Sequence, residues 1–128
     1  MKGGMMSVPL TLTHFIERAG HLFGRNEVLT AFDGQVVRHS WGEILERVRK
    51  VASALKVLGL EPGDRVATLA WNTHRHLELY FGVPAMGGVI HTVNVRLSQP
   101  QIRQILAHGG ARVLFVDPDS VDLLDVAL

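Results

Sequence analysis

The chain of 128 residues contains no cysteine. Disulfide frameworks and thiolate metal sites are therefore excluded, and the reducing cytoplasm becomes the default compartment. It also has no apolar run near the roughly 20 residues that would span a bilayer, so no integral membrane segment is expected. The first ten residues lack the basic start and long apolar middle of a signal peptide. There is little charge of one sign: thirteen basic residues against twelve acidic give a net charge of +1, too even for the broad cationic face of a nucleic-acid binder. Aromatics make up 6%, too few for a base-stacking platform, and they are expected in the core. Neither a G-x-x-x-x-G-K-[ST] loop nor a G-x-G-x-x-G turn occurs, and a G-x-S-x-G elbow is missing too.

What is present is 47% hydrophobic residues, enough for the core of one domain. The organising stretch runs from Trp71 to Leu97. Leu77, Tyr80, Phe81 and Pro84 recur at helical spacing beside a second row of Leu79, Val83 and Met86. Gly87 and Gly88 then end the helix, and Val89 to Val93 resumes as a strand.

The flanking segments fit the same scheme. Leu12 to Phe23 reads as a helix capped at Thr11 or Thr13, with Phe15, Ile16, Ala19 and Leu22 or Phe23 inward and Gly24 as its stop. Glu27 to Phe32 and Val36 to Ser40 are β-prone runs divided by Asp33-Gly34, the pair suited to a tight hairpin turn. Ser40 and Glu43 form a capping box for a helix with Ile44, Val48, Val51, Leu55 and Leu58 on one face and Glu43–Arg47 and Glu46–Lys50 pairs on the other, stopping at Gly59. After the turn at Glu61 to Asp64, Arg65 to Trp71 reads as a strand covered on both faces. Ser98 and Gln101 cap a helix that buries Ile102, Ile105 and Leu106 and closes at Gly109. Ala111 to Val116 is a further buried strand, and Val121, Leu124 and Leu128 mark a final amphipathic segment.

Alternation of this kind predicts an α/β fold: a mainly parallel sheet of βαβ units with right-handed crossovers and a small N-terminal antiparallel hairpin. Because the pattern stops in mid-segment at Leu128, residues 1–128 read as a truncated portion of a larger domain, with exposed apolar edges and self-association expected.

WNTHRHLELYFGVPAMGGVIHTVNVRL (71–97), extended by LKVLGLEPGDRVATLAW (55–71) and by the opening MKGGMMSVPL, resembles the adenylate-forming fatty acyl-CoA synthetases, in particular the N-terminal part of their large domain in medium- and long-chain members. The resemblance implies a full-length enzyme that uses ATP, Mg2+ and CoA to convert a fatty acid into its acyl-CoA through an acyl-adenylate. It also implies a homodimer contact through N-terminal regions. The family's ATP loop and its C-terminal-domain lysine lie outside these residues, so the chain alone is expected to be inactive, to bind none of these cofactors tightly and to act mainly as scaffold. Arg96 occupies the arginine of the family's asparagine-proline-arginine-leucine motif and is implied as a CoA phosphate contact, with Val95 replacing the proline; a surface ion pair is the other reading. His91 and Asn94 are implied as cleft wall; alternatively His91 bonds a neighbouring carbonyl and Asn94 supports the turn.

No catalytic residue is assigned. His74 and Glu78 share a helical face, but with His76 they lack H-E-x-x-H spacing and a third ligand, so no metal site is assigned. His74 and Arg75 are expected on an exposed first turn, Glu78 in a short-range pairing, and Arg75 optionally against a distant carboxylate. Ser40 and Ser98 are helix caps and Ser53 is helical. A rival reading is a free-standing doubly wound module used for binding or assembly without catalysis.

Overall fold

The structure is a computed structural model that describes residue 4 and residues 6–124. Its elements are α1 (Leu12–Leu22), β1 (Glu27–Phe32), β2 (Gln35–Ser40), α2 (Trp41–Val57), β3 (Arg65–Leu69), α3 (His74–Ala85), β4 (Val89–Thr92), α4 (Gln99–Gly109) and β5 (Val113–Val116), followed by a 3-10 segment, Pro118–Leu124. β1 and β2 pair antiparallel, while β4, β3 and β5 form a parallel sheet in that order. The expected α/β architecture with a small hairpin is therefore present.

Local chemistry explains most of these boundaries. Asp33 and Gly34 adopt φ values of 49° and 71°, the left-handed pair that lets a two-residue turn follow the twist of its strands. At Ser40 the capping box is closed: its hydroxyl accepts the Glu43 amide at 3.2 Å and its own amide donates to Glu43 Oε2 at 2.7 Å. That hydrogen bond from the Ser40 amide is the main reason the Glu43 carboxyl titrates below its ordinary range.

β3 is the central strand, and Val66 to Leu69 have no exposed surface at all, as a nearly continuous apolar run between two helical layers requires. On one side Val66 packs with Leu55, Leu60, Val83 and Met86; on the other, Leu69 packs with Val93 and Ile102. A third cluster of Ile16, Ile44, Leu45 and Val48 joins α1 and α2 to Val28 of the hairpin. Each fully buried Leu, Ile or Val contributes about 1.5–3 kcal/mol relative to an exposed one.

Several expectations are corrected. In α1 only Ile16 is buried, while Phe15, Leu22 and Phe23 are exposed, because the helix meets α2 along one narrow line and the hairpin does not cover its other side. Leu58 also faces solvent; the chain turns after α2 and inserts Leu60 instead. The surface pairs rearrange, with Glu46 taking Arg49 at 2.9 Å and Arg47 reaching across to Glu78. β3 ends at Leu69 rather than Trp71, since Trp71 turns its amide to a side chain after β5. α4 is terminated by Gly110, at φ 57°, rather than by Gly109. Of the final segment, Val121 is exposed and Leu124 packs inward from a 3-10 turn rather than from an amphipathic helix. Leu128 lies outside the described residues. Tyr80, Phe15, Phe23 and Phe32 are exposed, so the aromatics are not uniformly core.

Candidate functional site at the carboxyl edge of the sheet

Open parallel sheets bind ligands beyond the carboxyl ends of their strands. Here that edge faces a cavity of about 640 Å³. The hairpin supplies one wall through Thr30, Phe32 and Val37, the start of α3 supplies His74 and Arg75, and the turn after β5 supplies Asp117 and Asp119.

The floor is held by a clamp on Trp71. The Asp117 amide donates to the Leu69 carbonyl at 3.1 Å, extending the β3–β5 ladder by one bond. Asp117 Oδ2 in turn accepts the Trp71 amide at 2.7 Å, and Asp119 Oδ2 accepts the indole Nε1–H at 2.9 Å. Charge-assisted bonds of this kind are stronger than neutral ones, so the chain leaving β3 is held against the chain leaving β5. The Trp71 ring then meets Phe32 of the hairpin at a centroid distance of 6.3 Å.

The first turn of α3 is anchored by polar contacts. Thr30 Oγ1 accepts the His74 amide at 2.9 Å and lies 3.3 Å from His74 Nδ1, while the His39 ring packs 4.7 Å from the His74 ring. His74 is thus half-buried between helix and hairpin rather than on an exposed face; Arg75 does face solvent. Two residues on, His76 is buried, with Nε2 at 2.9 Å from Thr68 Oγ1 in the middle of β3 and its ring 4.6 Å from Tyr80. Burial lowers the pKa of both histidines below the ordinary 6.5, favouring neutral rings.

Glu78, expected in a short-range pairing, instead accepts from Arg47 Nε of α2 at 2.6 Å with its carboxylate nearly buried. This contact separates Glu78 from His74 as a ligand pair. Among the described residues no group of three or more His, Asp or Glu could hold a metal ion. Asp117 and Asp119, two of the three carboxylates that line the cavity, each use one oxygen to hold Trp71.

The residues singled out from sequence lie elsewhere on the same edge. Asn94 and Arg96 are exposed on the loop after β4, where Asn94 Oδ1 accepts the Arg96 amide at 2.9 Å. That bond is the side-chain support of the turn expected of Asn94. His91 is half-buried on β4 against α4, close enough that a Cβ on Gly109 would sit 2.5 Å from its Nδ1. None of the three lines the large cavity. Sequence reasoning missed Thr30, His39, Asp117 and Asp119. Asp117 sits in an Asp-Pro pair that reads as a plain turn, and its partner is 46 residues away.

With this geometry established, comparison with known proteins places the chain. Residues 16–127 match the AMP-binding enzyme family, and the chain belongs to that family. It is 47% identical over 122 residues to the long-chain-fatty-acid–CoA ligase of Thermus thermophilus, an alignment covering 94% of this chain and 23% of the relative. To the 3-methylmercaptopropionyl-CoA ligase of Ruegeria lacuscaerulensis it is 43% identical, covering 97% of this chain and 23% of the relative. The fold is similar to that of a Mycobacterium tuberculosis fatty acyl CoA synthetase, with a TM-score of 0.81 at 24% identity over 90% of this chain and 23% of that one. The chain thus spans about a quarter of the length of the curated relatives it matches. Among the described residues no helix is long and apolar enough to cross a membrane.

Proposed function

We propose that the chain is the amino-terminal part of an ATP-dependent fatty acid–CoA ligase, and that its contribution is to build one wall of the substrate cleft rather than to perform chemistry. The observation that carries this reading is the 47% identity to a long-chain-fatty-acid–CoA ligase along almost the whole chain. In the complete enzyme a fatty acid and ATP give an acyl-adenylate and pyrophosphate, and the CoA thiol then releases AMP; Mg2+ serves the phosphates. The residues of this chain supply orientation only. The Trp71 clamp sets the carboxyl ends of β3 and β5, and the hairpin closes the cavity above them. Arg96 keeps the proposed contact with a CoA phosphate, supported by its exposed guanidinium on the loop after β4. His91 and Asn94 shape that exit. The enzyme is proposed to be cytoplasmic and to pair with a second copy through this region.

The test is a segment exchange. Replacing the matching quarter of the Thermus ligase with this chain and assaying AMP release with a fatty acid, ATP and CoA should retain activity. The 128-residue chain alone should release none. Turnover by the isolated chain, or a folded chimera that binds neither acid nor ATP, would overturn the reading.

A further inference from the structure

The hairpin is attached to the body of the fold by a small number of contacts. Of its twelve strand residues only Thr30 is buried, with Val28, His39 and Ser40 half-buried beside it. Val28 reaches the core cluster beneath α1 and α2. The rest of the attachment to α3 is polar and passes through Thr30, His39 and His74.

We propose that the β1–β2 hairpin is an acid-released flap over the carboxyl-edge cavity, with the packed imidazoles of His39 and His74 as its trigger. The proposal concerns the movement of the wall and does not depend on the reaction assigned above.

The geometry suits a neutral His74. Thr30 Oγ1 accepts the His74 amide and lies 3.3 Å from Nδ1, where its hydroxyl proton can serve an unprotonated ring nitrogen. A protonated ring would instead donate a second N–H to that oxygen while carrying its charge beside His39. The second imidazole, His39 from β2, lies 4.7 Å away centroid to centroid, so charging both rings places like charges in contact.

The surroundings do not neutralise the pair. Arg47 of α2 and Arg75 of α3 add positive charge near His74, and Glu78 is the nearest opposing group on its own helix. Glu78 is engaged by Arg47. Glu43 of α2 stands 3.9 Å from His39 Nδ1, but its carboxylate is also the capping acceptor of Ser40. Asp33, Asp117 and Asp119 line the cavity beyond, where Asp117 and Asp119 hold Trp71. A proton on His74 is therefore opposed by burial, by the His39 ring and by Arg47 and Arg75, with Glu78 favouring it.

The sign of the pH response follows. Burial comes first and the neighbouring His39 second among the causes that hold His74 below its ordinary 6.5. The released hairpin, with His74 in water, takes up the proton more readily. Docking is thus complete above that value and weakens as pH falls through it, by about tenfold per pH unit for each extra proton taken up.

Hydrogen exchange on the 128-residue chain tests this. Between about pH 7.5 and pH 5.5, protection factors corrected for intrinsic rates should fall by up to about tenfold for the β1–β2 ladder amides while those of β3 hold. His39→Phe keeps a ring against His74 and removes the second charge, so it should reduce that fall without abolishing it, because burial of His74 remains. In parallel, imidazole 15N shifts of the unmodified chain should show docked His74 titrating below 6.5, at the pH where the fall in hairpin protection levels off. Equal loss of protection in β3, which protonation of the buried His76 would produce, overturns the proposal. So does an undiminished acid response in His39→Phe, or a docked His74 that does not titrate below 6.5.

Discussion

Gly82 lies in the interior of α3, where glycine ordinarily costs a helix about 1 kcal/mol relative to alanine. On propensity alone Gly82→Ala should stabilise the protein by that amount. The packing argues the opposite. A Cβ at this position would stand 2.5 Å from Val51 Cγ1, 2.8 Å from Val51 Cβ and 3.3 Å from the Val48 carbonyl oxygen of α2, whereas carbon atoms pack at about 3.5–4 Å. A valine in a helix has essentially one χ1 rotamer, and the contact with its Cβ is independent of rotamer. The two helices must therefore separate by a large fraction of an ångström along their main contact. Overpacking of this kind costs about 1–3 kcal/mol and sometimes more, which cancels the propensity gain and leaves a net destabilisation of up to about 2 kcal/mol. Urea unfolding followed by the fluorescence of Trp41 and Trp71 measures it. In a double-mutant cycle Val51→Ala removes the Cγ1 overlap but not the Cβ one, so it should rescue part of the loss, with a coupling of about 1 kcal/mol. A Gly82→Ala protein more stable than the parent by about 1 kcal/mol, the propensity gain alone, would show that α2 and α3 do not approach as described.

Two further perturbations probe other parts of the structure. Arg47→Ala leaves the nearly buried Glu78 carboxylate without its 2.6 Å partner and should cost about 1.5–3 kcal/mol in urea unfolding; it stays below the cost of breaking a fully buried pair because Arg47 is partly in water. A loss under about 0.5 kcal/mol would refute that assignment. Phe15, Leu22, Phe23, Leu29 and Val36 are all exposed, and exposed apolar side chains favour association where they adjoin, so the 128-residue chain should associate with rising concentration in sedimentation. Phe15→Ser with Leu22→Ser should reduce the association without lowering stability, and ideal monomeric behaviour of the parent would count against an interface on that face.

Much of the fold was legible because its local signals agree with its long-range ones. Asp33-Gly34, the two serine caps and the nearly continuous apolar run of Val66 to Leu69 each have one economical structural outcome, and each has it here. The failures share a cause. Helical periodicity marks which residues lie on one face but not which neighbour covers that face, so Phe15 and Leu22 read as core although Ile16 alone in α1 is buried. In the same way, i,i+4 spacing permits Glu43–Arg47 without weighing a nearly buried carboxylate on another helix that Arg47 can satisfy instead. A group already taken out of water has more to gain from that guanidinium than exposed Glu43 does.

The candidate site was less legible because its residues are joined across the chain rather than along it. Arg96, Asn94 and His91 were found through a contiguous motif, and they do lie on the carboxyl edge, but on the side of β4 away from the cavity. The cavity is instead made where β5 returns to the far side of β3, a pairing that brings Asp117 to Trp71 and sets the hairpin's Phe32 over the indole. Strand order is what decides between the two locations. With β3 in the centre, the exits of β4 and β5 lie on opposite sides of it, so a motif read along the chain after β4 cannot reveal a cavity built after β5.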